Sequence, residues 1–508
     1  MYASFRKTSL IFLLATVSIC KHSIAQKQEH EMHRPQIHFS PKAHWINDPN
    51  GMVYNKGVYH LFFQYYPDST IWGPMHWGHA TSSDMFNWKE QPIALYPDSL
   101  GYIFSGSAVV DKNNTSGFGK NGQAPLVAIF TYHDPKGEKA GRNDYQNQGI
   151  AYSNDNGKTW TKYTGNPVLK SPGITDFRDP KVMWYAPQKK WIMTLATKDR
   201  ITFYSAPDLK NWTKESEFGK EVGAHGGVWE CPDLFPLDNN GKQTWVLLVN
   251  INPGGPNKGS ATQYFVGDFD GHNFSPYNTN TKWADYGPDE YAGITWSNTG
   301  DRKIFLGWMS NWMYANQVPT EKWRNAMTIP RQLSLKKVND ELLLASTPVI
   351  ELSKIQSKPV MVSNLKITKK IDLSSKTGSL KLPCRINLQT DKLEDFTLTI
   401  SNDMGEELLI GYDKAENQYF IDRAKSGKKD FNNEFAARHV APRFSAATKM
   451  NISLVIDVSS VELFADDGLT VMTSIFFPNK PYDKIHIQSA GIIFKKLEYI
   501  PLKSTWKN

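Results

Sequence analysis

Val58-Tyr59-His60-Leu61-Phe62-Phe63-Gln64-Tyr65 is a short run rich in aromatic residues, and runs of this kind, broken by turn signals, follow one another from His38 to about Lys337. No long helical periodicity interrupts them, so the region reads as strand after strand. A weak internal repeat lies within it. Ser82-Ser83-Asp84 is followed by Trp88, Ser153-Asn154-Asp155 by Trp160, Ser205-Ala206-Pro207-Asp208 by Trp212, and Asp268-Phe269-Asp270 by Phe274. Spacings of roughly 50 to 70 residues suit the blades of a β-propeller, although the repeat alone does not fix their number. After Ser346-Thr347-Pro348 tryptophan thins out and lysine rises. Asn451 to Val458 and Val461 to Ala465, ending at Asp466-Asp467-Gly468, alternate as half-buried strands do and indicate a second, sandwich-like β domain.

A chain of 508 residues is too long for one typical core, which also points to two domains. We place them at residues 35–345 and 355–508. The N-terminus reads as a secretory signal over residues 1–25: Arg6 and Lys7 precede the apolar run Leu10 to Ile19, and Ser23-Ile24-Ala25 forms a small-residue cleavage site. That run is too short for a mature membrane span. Cys20 directly after it offers the alternative of a lipid anchor, with export to the periplasm, cell surface or medium in either case. Cys231 and Cys384 would remain after processing and fall in different domains, so a disulfide framework is not expected. The net charge of +8 is carried by lysines interleaved with acids, as in Lys336-Lys337-Val338-Asn339-Asp340-Glu341, which reads as a solvated surface and not a nucleic-acid site. His76 and His79 lack a third ligand at suitable spacing, so neither a metal nor a cofactor is expected.

Three acidic segments stand out against this background. His44-Trp45-Ile46-Asn47-Asp48-Pro49-Asn50-Gly51 sets a carboxylate in what reads as a rigid turn, because Pro49 restricts Asp48 and Asn50-Gly51 tolerates positive φ. Taken alone it is first of all good turn chemistry. Asp176-Phe177-Arg178-Asp179-Pro180 and Trp229-Glu230-Cys231-Pro232-Asp233-Leu234-Phe235 likewise put carboxylates among aromatics and prolines. Their plain readings are an Arg178–Asp179 ion pair and a surface loop acid at Glu230.

Read with Trp72-Gly73-Pro74-Met75-His76-Trp77-Gly78-His79, Phe104-Ser105-Gly106-Ser107 and Trp323-Arg324-Asn325-Ala326-Met327-Thr328, these segments resemble glycoside hydrolase family 32, the β-fructosidases that include invertases, inulinases and levanases. The resemblance runs from about His38 to the C-terminus. It implies an all-β fold, a five-bladed β-propeller followed by a C-terminal β-sandwich.

Glycosidic bonds are commonly broken by two carboxyl groups, one capturing the cationic sugar and one protonating the leaving oxygen. By resemblance Asp48 is the nucleophile, attacking the anomeric C2 of a fructofuranosyl unit, and Glu230 is the acid/base. Partial desolvation beside Gly226-Gly227-Val228-Trp229 and a nearby negative Asp48 would both raise the pKa of Glu230, as a proton donor requires. Asp179 matches the aspartate that grips the sugar's hydroxyls, with Arg178 beside it as donor and electrostatic restraint. Asn47, Gln64, Trp72, Phe104, Ser105 and Trp312 match positions lining the fructose pocket, and Trp45 is expected to help enclose the sugar. Asp285 to Tyr291 resembles a rim segment, with Glu290 standing where an aromatic is common. The expectation is a retaining, exo-acting hydrolase of levan, inulin or sucrose-type linkages. The alternatives are an endo-levanase of the same family, a fructosyltransferase and a non-catalytic fructan-binding protein.

Overall fold

The computed structural model describes Met1 and residues 31–506. The apolar N-terminal run read as a secretory signal, and Cys20, therefore lie outside the described residues. His33–Asn508 forms one unit and Met1–Met32 another.

The first half of the larger unit is a set of small antiparallel sheets, each begun by one long or strongly bent strand: His44–Asn55, Tyr102–Val110, Phe177–Tyr185, Val228–Asn239 and Tyr291–Thr295. These first strands touch one another in turn, and the last touches the first, so they enclose a common axis. Trp323–Arg324 pairs in parallel with His44–Asn55, tying the end of this region to its beginning. The repeat seen in the sequence is one recurring turn, the link from a third strand to a fourth. Asp84, Asp208 and Asp270 each accept backbone N–H bonds from the residues two and three positions on. A short acid in that position replaces a backbone turn acceptor, which is why Asp recurs there.

All five first strands slip register within the ladder, at Ile46/Pro49, Ile103/Gly106, opposite Thr194/Ala196, at Glu230/Asp233 and at Tyr291/Ile294. Proline has no N–H to give a ladder, and Pro49, Pro180 and Pro232 sit at three of the slips. Asp179, Cys231 and Ala292 take positive φ there, at 65°, 41° and 54°. This corrects the turn expected at Asp48: the segment is a bulged strand, with positive φ at its first residue His44 (72°) and at Gly51 (51°), where a side chain would collide with Trp77 and Phe62.

From Val360 onward two six-stranded sheets pack around one apolar core that includes Ile386, Leu398, Ile410, Leu454, Ile487 and Phe494. The contact with the first half is partly apolar, through Val455, Phe464 and Val471 against residues such as Ile37 and Val349. It is also ionic, which the sequence did not reveal. His38 bridges Asp457 (2.8 Å) and Glu462 (2.9 Å), and Arg331 joins Glu462 to Asp285, all with fully buried side chains. Arg423 reaches across to Asp289 in the same way. His76 and His79 go to separate partners, Pro74 O and the His60 ring, because positions three apart on a strand face opposite sides. Cys231 and Cys384 are free and buried. Among the described residues no helix is long and apolar enough to cross a membrane.

Candidate active site

The bulges turn carboxylates from three different strands into one cavity of about 280 Å³. Asn47, Asp48, Gln64, Trp72, Phe104, Ser105, Arg178, Asp179, Glu230 and Trp312 all line it. A regular strand would alternate such side chains between faces; the extra residue of a bulge re-aims them.

Asp48 is surrounded by donors. Asn47 Nδ2 gives to Oδ1 at 2.9 Å, and Ser105 Oγ and Cys231 Sγ give to Oδ2 at 2.6 and 3.5 Å. Such a carboxylate is fixed in direction with its lone pairs presented to the cavity. Asp179 is 5% exposed and accepts the backbone N–H of Cys231 at 3.0 Å, while its own N–H donates to Thr131 Oγ1. Burial pushes its carboxyl upward, against the pull of Arg178. Glu230 is also raised, first by burial and further by the charge of Asp48, the direction expected from its sequence context. Arg178 and the Tyr291 hydroxyl, both donors to Glu230, oppose the rise.

The aromatic walls have separate supports. Trp312 stacks on Trp45 with centroids 5.8 Å apart, and Trp72, 40% exposed, meets Phe104 edge-on. Trp45 is a correction: it is fully buried and does not reach the cavity. It acts from behind, its indole N–H donating to Asn47 Oδ1 at 2.8 Å. Gln64 is braced by Asn50 and by Ile103 O.

The rim holds residues that the sequence did not single out. His133 stacks flat on Phe104 at 4.2 Å, with Glu138 3.2 Å from its Nε2 and Gln146 3.3 Å from its Nδ1. Asp176 pairs with Arg178. Glu290 is turned away from the cavity. It is fully buried, and burial beside Asp285 lifts its carboxyl to about 8; its neighbour Tyr291 is the residue that reaches Glu230. The absence of side chains at Gly293 and Gly307 makes room for it.

Carboxyl groups in contrasting environments, amides for hydroxyls and tryptophan faces for the apolar side of a ring are the equipment of a sugar-cleaving enzyme. Residues 38–347 match the N-terminal domain of the glycosyl hydrolases family 32, and residues 351–501 match the family's C-terminal domain. The chain belongs to glycosyl hydrolase family 32 and is a glycoside hydrolase of the β-fructosidase kind. It is 45% identical to a levanase of Bacillus subtilis, over 97% of this chain and 74% of that one. It is 41% identical to an extracellular exo-inulinase of Aspergillus niger, over 97% and 99%. The crystal structure of exo-inulinase from Aspergillus awamori superposes with a TM-score of 0.83 at 36% identity, covering 93% of this chain and 99% of that chain.

Proposed function

We propose that the protein is an exported, exo-acting retaining β-fructofuranosidase that removes terminal fructose from levan, inulin or sucrose-type substrates, with Asp48 as nucleophile and Glu230 as acid/base. The observation that carries the assignment is the placing of two half-buried carboxyls on one cavity: Asp48 accepts from the neutral donors Asn47, Ser105 and Cys231, whereas Glu230 is raised toward its protonated form by desolvation and by the charge of Asp48, against Arg178 and Tyr291. Such a split is what lets one group attack C2 while the other hands a proton to the leaving oxygen. Water, activated by the Glu230 carboxylate, then releases fructose from Asp48. Asp179 and Arg178 hold ring hydroxyls, which places binding energy where it can grow as the ring flattens.

The exo reading rests on resemblance, and the cavity supplies the one sugar subsite it needs, lined by Trp72 and Trp312. The similarity to relatives named exo-inulinase points the same way. The reading of a five-bladed propeller over residues 35–345 and a sandwich over 355–508 is supported by the five touching first strands and the paired six-stranded sheets. Export follows from the N-terminal pattern, and a relative is named extracellular. Early digestion of levan, inulin and sucrose, resolved by chromatography, tests the mode. Free fructose as the first product is expected; a ladder of oligosaccharides with a rapid fall in polymer size would make it an endo enzyme.

A further inference from the structure

A second cavity, of about 430 Å³, lies farther along the same first strands. Lys181 follows Asp179 by two residues, Asp233 follows Glu230 by three and Thr295 follows Tyr291 by four, and all three line it. At about 3.3 Å per residue the two cavities are separated by roughly 7 to 13 Å of strand. None of the catalytic carboxyls borders the second one.

Its walls are chemically uneven. Lys112, Lys181 and Lys303 line it together with one carboxylate, Asp233, and the half-buried Trp184. Asp233 is 1% exposed, and only one of its oxygens is used: Oδ2 accepts from Thr295 N at 2.6 Å and Thr295 Oγ1 at 2.7 Å, with Lys181 Nζ at 3.2 Å. Oδ1 has no hydrogen-bond partner. A buried carboxylate oxygen without a donor costs free energy that a ligand hydroxyl would recover. Lys181 is committed to Asp233 and Thr295 O, whereas Lys303 makes a long contact to Gly300 O (3.4 Å) and, with the exposed Lys112, is placed to meet a negative charge. Burial pulls both Lys181 and Lys303 below the usual lysine range, and an anion between the ammonium groups relieves that penalty.

We propose that this cavity binds a small hydroxylated organic anion, its charged end on Lys303 and Lys112, a hydroxyl donating to Asp233 Oδ1 and its carbon chain along Trp184. The site is distinct from the one where fructan is cut, and its occupation stabilises the ring of first strands by binding the folded state alone.

Gluconate serves as probe, with acetate lacking the hydroxyls and fructose lacking the charge. Tryptophan fluorescence of the full chain should saturate with gluconate, and acetate should bind about tenfold more weakly or worse, the loss expected for one or more hydrogen bonds to a charged group. Lys303→Met, and independently Lys112→Met, should weaken gluconate by about tenfold while fructan hydrolysis and the fructose response stay as in the parent. No saturable gluconate signal, equal binding in both variants, or acetate binding as tightly as gluconate would overturn the proposal.

Discussion

Arg178 donates to a single oxygen of Glu230, Oε1, from two nitrogens, Nε at 3.2 Å and Nη2 at 3.0 Å. The guanidinium thus holds down a carboxyl that burial and Asp48 push up. If Glu230 is the proton donor, kcat/KM falls at high pH as Glu230 deprotonates. Arg178→Met removes the opposing charge, so the basic limb of the pH profile should move to higher pH, alongside a general loss of activity from the missing guanidinium donor to the sugar. Arg178→Lys keeps the charge and should leave the limb closer to its parental position. A limb that shifts downward in Arg178→Met, measured by initial rates across pH, would contradict this account of Glu230.

The buried His38 has its own pH signature. Its folded pKa stands at about 9 against an ordinary 6.5, held up by Asp457 and Glu462 although desolvation alone would lower it. A raised pKa contributes stability that is fully present below about 6.5 and is lost as pH climbs through about 9. Asp457 and Glu462 are lowered from 3.8 and 4.5, so their contribution appears above those values and is lost as pH falls below the folded ones. The interface should be firmest between about pH 5 and 6.5. His38→Gln should flatten the fall in Tm from pH 6.5 to 9, a comparison read directly by thermal unfolding; an undiminished fall would assign it to other groups.

Removing one partner of a buried ion pair strands the other. Glu462→Ala leaves Asp285 as the carboxylate facing Arg331 and Asp457 as the one facing His38, and should cost about 3 to 5 kcal/mol in denaturant unfolding. Truncation after Thr347 removes Asp457, Glu462 and Arg423 and uncovers the apolar contact, so an aggregating or unstable fragment is expected. A soluble, fully active fragment would show the contact to be dispensable.

Trp45 offers a test of support without substrate contact. Trp45→Phe keeps most of the packing against Trp312 and Trp308 but removes the N–H that orients Asn47. One neutral hydrogen bond is worth about 0.5 to 1.5 kcal/mol, so a two- to tenfold loss in kcat is expected, with about the parental KM. Trp72→Ala, at the open rim, should instead raise KM. Steady-state kinetics on one fructan separates the two.

The site was legible where its chemistry is written locally. Asp48, Asp179 and Glu230 each lie within two residues of a proline, and that proline both flagged the segment and produces the bulge. The bulge itself was mistaken for a turn, since both use the same residues and differ only in whether a partner strand continues alongside. Tyr291, His133, Glu138 and Gln146 escaped notice because their roles depend on strands brought together around the axis, a relation with no local pattern. Glu290 stands out as the departure at the rim, yet it is buried in the space left by Gly293 and Gly307, and its neighbour Tyr291 reaches Glu230. The alternating strands of the C-terminal region were readable, whereas the ionic contact to the first half pairs residues more than 100 positions apart, as Arg331 with Glu462.

The central claim is that a fructosyl unit is passed to Asp48. Glu230→Gln, supplied with fructosyl fluoride, has a leaving group that needs no acid and lacks the base that would release the sugar, so the covalent intermediate should accumulate. Proteolysis and mass spectrometry should then find one fructosyl unit on the peptide bearing Asp48, localised to that residue. A label on another residue, or consumption of the fluoride with no labelled peptide and an inverted product, would contradict it.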